Sequence, residues 1–243
     1  MTTLNIYAAG SLRLALPAVG ELFKQFHPIN FNMQFAPAGL LCEKLMQSTS
    51  ACDIHLFASA NTQYPQTLVD CGKAVSHHIF THNRLCLTVR NQPQWANHDA
   101  ISLLRNPQNR IGMSTPQKDP SGDYTFMLFD KIEAIYPNMG QQLKKRARQL
   151  VGGSFISNIP KDVLPAQYFL LNNTIDVFIG YANYAPVIQQ NSQLTIIDIP
   201  NNLLPTIEYS IALLNPTNIV AKLFIDFLQN KQAQECLLKY GFS

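Results

Sequence analysis

Short runs of apolar, β-branched and aromatic residues recur along the chain at 4–7, 31–35, 54–57, 85–89, 110–113, 177–179, 194–197 and 208–213, and stretches with helical spacing separate them. Strands divided by helices lie side by side when the helices carry the chain back along the sheet, so this alternation predicts an α/β fold with largely parallel sheets. The clearest helix follows Ser11. There Leu12, Ala15, Leu16, Val19, Leu22, Phe23 and Phe26 recur at three- and four-residue spacing and make one face apolar. Pro17 removes a backbone donor inside that pattern, which predicts a first turn offset or kinked from the rest. Further helices are expected over about 40–47, 64–69, 124–135, 141–150 and 219–229, with a short one over 233–239 that ends at Gly241.

With 47% apolar and 14% charged residues, a chain of 243 residues can bury a real core, as one large domain or two small lobes. The net charge of +3 is too small for a nucleic-acid binder unless the cations cluster. The basic run Lys144, Lys145, Arg146 and Arg148, with Lys131 nearby, reads as the solvated face of a helix. No stretch approaches the roughly 18 to 20 apolar residues of a membrane span, so no insertion into a membrane is expected. Residues 3–7 already read as strand and leave no room for a leader, so either a signal peptide has been removed or the protein stays inside the cell. Cys42, Cys52, Cys71, Cys86 and Cys236 are odd in number and lack Cys-x-x-Cys spacing. At least one thiol is therefore unpaired, and each is expected to be a small buried hydrophobe. The histidines, His77-His78 included, form no metal-binding helix pattern, and no metal is expected.

Three strand ends run into helices through small or hydroxylated residues. The first is Ala8-Ala9-Gly10-Ser11, with Ser11 a candidate N-cap. A helix N-terminus presents unpaired N–H groups and a partial positive charge, so it can hold an anion without any cationic side chain. A serine that merely caps its own helix fits the same residues equally well. The second is Phe35-Ala36-Pro37-Ala38-Gly39-Leu40, where small side chains let backbone amides approach a ligand, as they also do in any tight turn. In the third, Ser114 to Tyr124, Ser121 and Gly122 lie just before a helix, and Lys118 and Asp119 are placed to balance each other. Tyr181 closes another strand, either as packing at a hinge or as a phenolic donor to a ligand.

Enzyme signatures are missing. The chain has no Gly-x-Ser-x-Gly elbow, no Walker glycine-lysine loop and no Gly-x-Gly-x-x-Gly fingerprint, and nothing in the spacing pairs Asp53, Asp119, Asp123 or Asp176.

Six segments in order, Ile6 to Leu12, Asp53 to Asn61, Asn83 to Leu87, Asp119 to Tyr124, Ile179 to Ala185 and Lys239 to Phe242, resemble the molybdate-binding periplasmic proteins of ABC importers. The resemblance spans nearly the whole chain. It implies a type II periplasmic-binding-protein-like fold of two lobes, each a mixed sheet flanked by helices, with two crossover strands and the ligand in the interlobe cleft. It also implies that molybdate or tungstate is held by hydroxyls and backbone N–H groups, without arginine or lysine.

Carried over by position, the family's first serine matches Ser11, its Pro-Ala-Gly turn matches Pro120-Ser121-Gly122, and its cleft tyrosine matches Tyr181. A valine-contributing loop falls near Asp162-Val163. Departures from the family pattern stand out. Ala38 takes the place of the usual second serine, so Ala38 and Gly39 offer backbone N–H groups only, and the lost bond to a charged acceptor costs roughly 1.5 to 3 kcal/mol. Ser121 adds a hydroxyl where the family often has alanine. The usual Ala-Asp before Leu-Phe is shifted to Cys52-Asp53-Ile54-His55.

On this resemblance lobe one is expected at 1–81 plus 187–243 and lobe two at 82–186. The protein is expected to be a monomeric solute-binding subunit of an ABC permease, with no enzymatic activity and no cofactor, binding neither nucleic acid nor membrane. Its expected compartment is the periplasm, with the cytoplasm still open. The competing readings are a ligand-sensing or binding protein for another small anion, such as sulfate, phosphate or a carboxylate, and an intracellular enzyme. No helix-turn-helix pattern precedes Leu4, and no nucleophile–base pair can be nominated.

Overall fold

From Ile6 to Ala9 every side chain of β1 (Thr2–Ala9) is buried, the pattern of a strand covered on both faces. The computed structural model, which describes residues 2–48, 53–95, 98–152, 159–160 and 163–243, supplies that cover. After β1 come α1 (Ala15–Lys24), β2 (Ile29–Ala36), α2 (Ala38–Gln47), β3 (Leu56–Ser59), α3 (Gln63–Asp70) and β4 (Ser76–Asn83). The second stretch runs through β5 (Leu85–Arg90), α4 (Ala100–Arg105), β6 (Ile111–Ser114), α5 (Pro120–Ile135), α6 (Met139–Arg146), β7 (Arg148–Val151), α7 (Pro165–Leu171), β8 (Val177–Tyr181), α8 (Ala185–Ile188) and β9 (Leu194–Asp198). The chain ends with β10 (Ile207–Leu213), α9 (Ile219–Leu228) and α10 (Lys231–Lys239).

These elements form two units, Met1–Asn83 with Ile207–Ser243, and Arg84–Thr206. The first holds a five-stranded sheet in the order β2-β1-β3-β10-β4, and the second one in the order β7-β6-β8-β5-β9. Each sheet is mixed, as the family resemblance implies, and not largely parallel as the strand–helix alternation alone predicts. β10 runs antiparallel to β3 and β4, and β5 runs antiparallel to β8 and β9. The return of the chain to the first unit lies at Ile207, later than the expected 187, because β9 pairs with β5 and stays in the second sheet.

In the first unit Phe23 meets Phe31, Phe224 and Phe227 at ring separations of 6.2, 5.2 and 5.2 Å, which locks α1, β2 and α9 together. Each such pair contributes about 0.5 to 1.5 kcal/mol beyond its buried area. In the second, Leu150, Phe169, Leu170, Ile175 and Phe178 form a cluster under α7. Asn218, Asn230 and Asp99 cap α9, α10 and α4 by accepting the N–H groups of Ala221, Ala233 and Ser102.

Several expectations need correction. The helix expected through 150 stops at Arg146, because Ala147 is extended and residues 148–151 form β7 against β6. β4 had no apolar run to reveal it, since it is an edge strand and much of it faces water. Cys71 is exposed, not buried, because it ends α3 just ahead of Gly72 at φ +69. Cys42, Cys86 and Cys236 are buried, and burial pushes the Cys86 thiol up to about 12, while Cys52 lies outside the described residues.

Candidate functional site

Ser11 is not an N-cap. It sits in a short 3-10 turn, Gly10–Leu12, and α1 begins only at Ala15, so Pro17 falls in that helix's first turn, where its missing donor costs nothing. The offset expected from Pro17 is therefore this separate turn. Ser11 is buried, and its Oγ accepts the Tyr209 hydroxyl at 2.8 Å, while the Asn83 amide donates to the same Tyr209 oxygen at 3.2 Å. The relay ties Ser11 to the strands at both chain crossings, β4 and β10. Sequence reasoning missed Tyr209 and Asn83, because their partners lie far off in the chain.

The register brings Ser11 and Ala38 to one edge. β1 and β2 are parallel with Ala9 opposite Ala36, so the turn at Ser11 and the start of α2 both follow the carboxyl ends of adjacent strands. Pro37 precedes α2 and gives no side-chain cap to its first-turn N–H groups, those of buried Ala38 and Gly39 among them. β3 ends at the same edge, but there Asn61 Oδ1 accepts from Tyr64 N–H at 3.2 Å and from Ser59 Oγ at 2.9 Å. The start of α3 is thus served by the protein itself, whereas the start of α2 is not served by a capping side chain. This edge is where ligands bind in open α/β sheets.

In the second unit Ser121 and Tyr181 also share an edge. β6 and β8 are parallel with Ile111 opposite Val177, which sets Tyr181 level with the turn after Ser114. Ser121 lies inside α5 as its second residue and not before it. The cap is Asp119, whose Oδ1 accepts the Ser121 N–H at 3.1 Å, with Pro120 at the first helical position. Asp119 therefore caps the helix, the role that its place directly before Pro120 gives it. Burial pushes the Asp119 carboxyl up to about 6, against the lowering effect of its bonds to Ser121 and Ser114. Asp123 accepts the Gln117 N–H at 2.7 Å, and burial raises its carboxyl too. Gly122 lies directly on the Ser114–Pro116 backbone. Of the valine-contributing loop, Asp162 lies outside the described residues.

A cavity of about 330 Å³ in the second unit is lined by Leu104, Arg105, Tyr136, Leu143 and Arg146, and no candidate residue reaches it. Its Arg146 guanidinium is spent on the carbonyls of Asn106, Asn109 and Leu104.

A family model described as bacterial extracellular solute-binding protein matches residues 4–243. An uncharacterized protein of Pasteurella multocida is 35% identical over 211 residues, covering 86% of each chain. The molybdate-binding protein ModA of Rhodobacter capsulatus is 23% identical over 242 residues, covering 98% of this chain and 88% of its own. Among solved structures, the sulfate-binding protein SubI of Mycobacterium tuberculosis superposes with a TM-score of 0.80 at 16% identity, covering 100% of this chain and 86% of that one. The fold is that of the type II periplasmic binding proteins. Among the described residues, no helix is long and apolar enough to cross a membrane.

Proposed function

Since this chain belongs to the bacterial extracellular solute-binding protein family, and is therefore a binding protein and not an enzyme, we propose that it captures a tetrahedral oxyanion for an ABC importer. The observation that carries this reading is the start of α2, which has no capping side chain and stands beside buried Ser11 at the carboxyl edge of parallel strands. Such a site favours a compact anion through backbone N–H groups and the helix partial charge, with no cation required. Each sheet edge offers its own candidate donors, Ser11, Ala38 and Gly39 in the first unit and Ser121 and Tyr181 in the second. Likeness to ModA supports molybdate or tungstate, and the fold shared with a sulfate-binding protein supports sulfate as the second choice. The partner is a membrane permease, the working form a monomer, and the compartment the periplasm or cell exterior.

A thermal-shift panel of molybdate, tungstate, sulfate, phosphate and small carboxylates tests the class, because a ligand that binds only the native state raises its melting temperature. One or more oxyanions should shift it; a response to carboxylates alone would end the oxyanion reading. By calorimetry, Ser11→Ala and Ser121→Ala should each weaken binding by roughly 1 to 3 kcal/mol, the range for hydrogen bonds to a charged partner. Ala38→Ser should leave binding intact or tighten it, and Lys118→Ala should change it little. If Lys118→Ala abolishes binding while both serine variants bind normally, charge and not neutral donors holds the ligand.

A further inference from the structure

The first turn of α5 is already in contact with a carboxylate. Asp119 Oδ1 lies 3.1 Å from the Ser121 nitrogen, and the Ser114 side chain bonds to the same carboxyl group. Gly152, at the end of β7, makes room for it: a β-carbon there would stand 2.7 Å from Asp119 Cβ. An oxyanion arriving at Ser121 therefore meets an acceptor that already holds the amide the anion needs, and that acceptor carries like charge whenever it is ionised.

Resting on the oxyanion reading above, we infer that Asp119 is a specificity-determining residue that makes capture proton-linked, the anion seating against α5 only when the Asp119 carboxyl group carries a proton. One proton is taken from solvent for each anion bound, and the neutral carboxyl can then donate to the ligand instead of repelling it. Among the described residues, the groups facing Asp119 are few. β6 presents Ser114 and the residue after β7 is Gly152, neither of which titrates, the preceding turn carries Lys118, and α5 itself contributes Asp123. Burial and the Asp123 charge already hold the Asp119 carboxyl up to about 6, within reach of protonation near neutral pH.

The direction follows from linkage. Below about pH 6 the free protein is already protonated at Asp119 and affinity is flat; above it each anion must bring in a proton, and affinity falls about tenfold per pH unit. Calorimetry of sulfate and of molybdate, both fully deprotonated near neutral pH, should show about a hundredfold weakening between about pH 6.5 and about pH 8.5. Buffers of different ionisation enthalpy should report close to one proton taken up. Asp119→Asn keeps a capping side chain and should bind with a flat pH profile, more tightly than the native protein at the upper end. A flat profile in the native protein, or a slope that survives Asp119→Asn, overturns the inference and leaves the oxyanion reading standing. Failure of both proteins to bind any oxyanion at any pH overturns both, and failure of Asp119→Asn alone overturns the proton linkage.

Discussion

Gly122→Ala is expected to weaken anion capture about a hundredfold and to lower stability by about 1 to 3 kcal/mol, the usual cost of forcing a carbon into a filled space. The added carbon would stand 2.5 Å from Pro116 N, 2.5 Å from Thr115 C and 2.7 Å from Ser114 O. All three are backbone atoms, so no side-chain rotation relieves the overlap, and the first turn of α5 has to lift off the turn that feeds it. Ser121 is the neighbouring residue and Asp119 caps that same turn, so the donors and the cap move together. Two charge-assisted bonds lost at about 1.5 kcal/mol each amount to about a hundredfold in affinity. Gly10, at the corresponding turn of the first unit, is the comparison: its added carbon would meet only Ala36 O, at 3.9 Å. Gly10→Ala should therefore change the urea midpoint little. Equal stability losses in the two variants would show that the close approach at Gly122 does not matter.

What could be read in advance follows how local the cause is. Strands covered on both faces, such as β1 and β10, leave apolar runs, and helices with one buried face, such as α1 and α9, leave three- and four-residue spacing. The edge strand β4 leaves neither, and α4, α7 and α8 are too short for the spacing to stand out. The mixed pairing, which the family resemblance implies, was not legible from local spacing because β5 and β10 pair with strands far off in the chain, and the run 194–197 did not reveal which sheet it would join.

The site divides in the same way. That Ser11, Ala38 and Ser121 lie where a strand gives way to a helix was legible, because small residues after an apolar run mark such places, and so was the end of a strand at Tyr181. The company they keep was not. Tyr209 reaches Ser11 across 198 positions of sequence, and no local pattern encodes that contact. Asp119 is different, since an aspartate directly before a proline is the signature of a cap followed by the first helical residue. That signal is fully local, but the neighbouring Lys118 suggests charge balance as well and so masks it. Recognising the cap changes the chemistry of the second unit's donor set, from a helix start open to an anion to one that shares its amide with a carboxylate.

Asp176→Ala should cost about 3 to 5 kcal/mol in urea unfolding at neutral pH, the range for stripping the partner from a largely buried ion pair. The Asp176 carboxylate accepts from Arg110 Nε and Nη2 at 2.8 and 2.9 Å, from Arg90 Nη2 at 2.7 Å and from the Arg110 N–H at 2.9 Å. The two arginines also hold the carbonyls of Leu170, Asn173 and Ile175, so one carboxylate fixes the chain between α7 and β8 to the neighbouring strands. Without it, two guanidinium groups, 15% and 35% exposed, lose the counter-charge that they share. The Arg110 guanidinium first, then the Arg110 N–H and Arg90, hold the Asp176 carboxyl well below its usual 3.8, against the cost of its burial. A depressed carboxylate contributes stability above its unfolded value and loses it as pH falls toward the folded one. The gap between native protein and variant should therefore be full at pH 7 and shrink below about pH 4. It arises far from the anion donors, at the opposite ends of β6 and β8, so the variant should still respond to the preferred oxyanion at temperatures where it is folded. A loss under about 1 kcal/mol at pH 7, the value of an exposed pair, would mean that water and not Asp176 balances the two arginines.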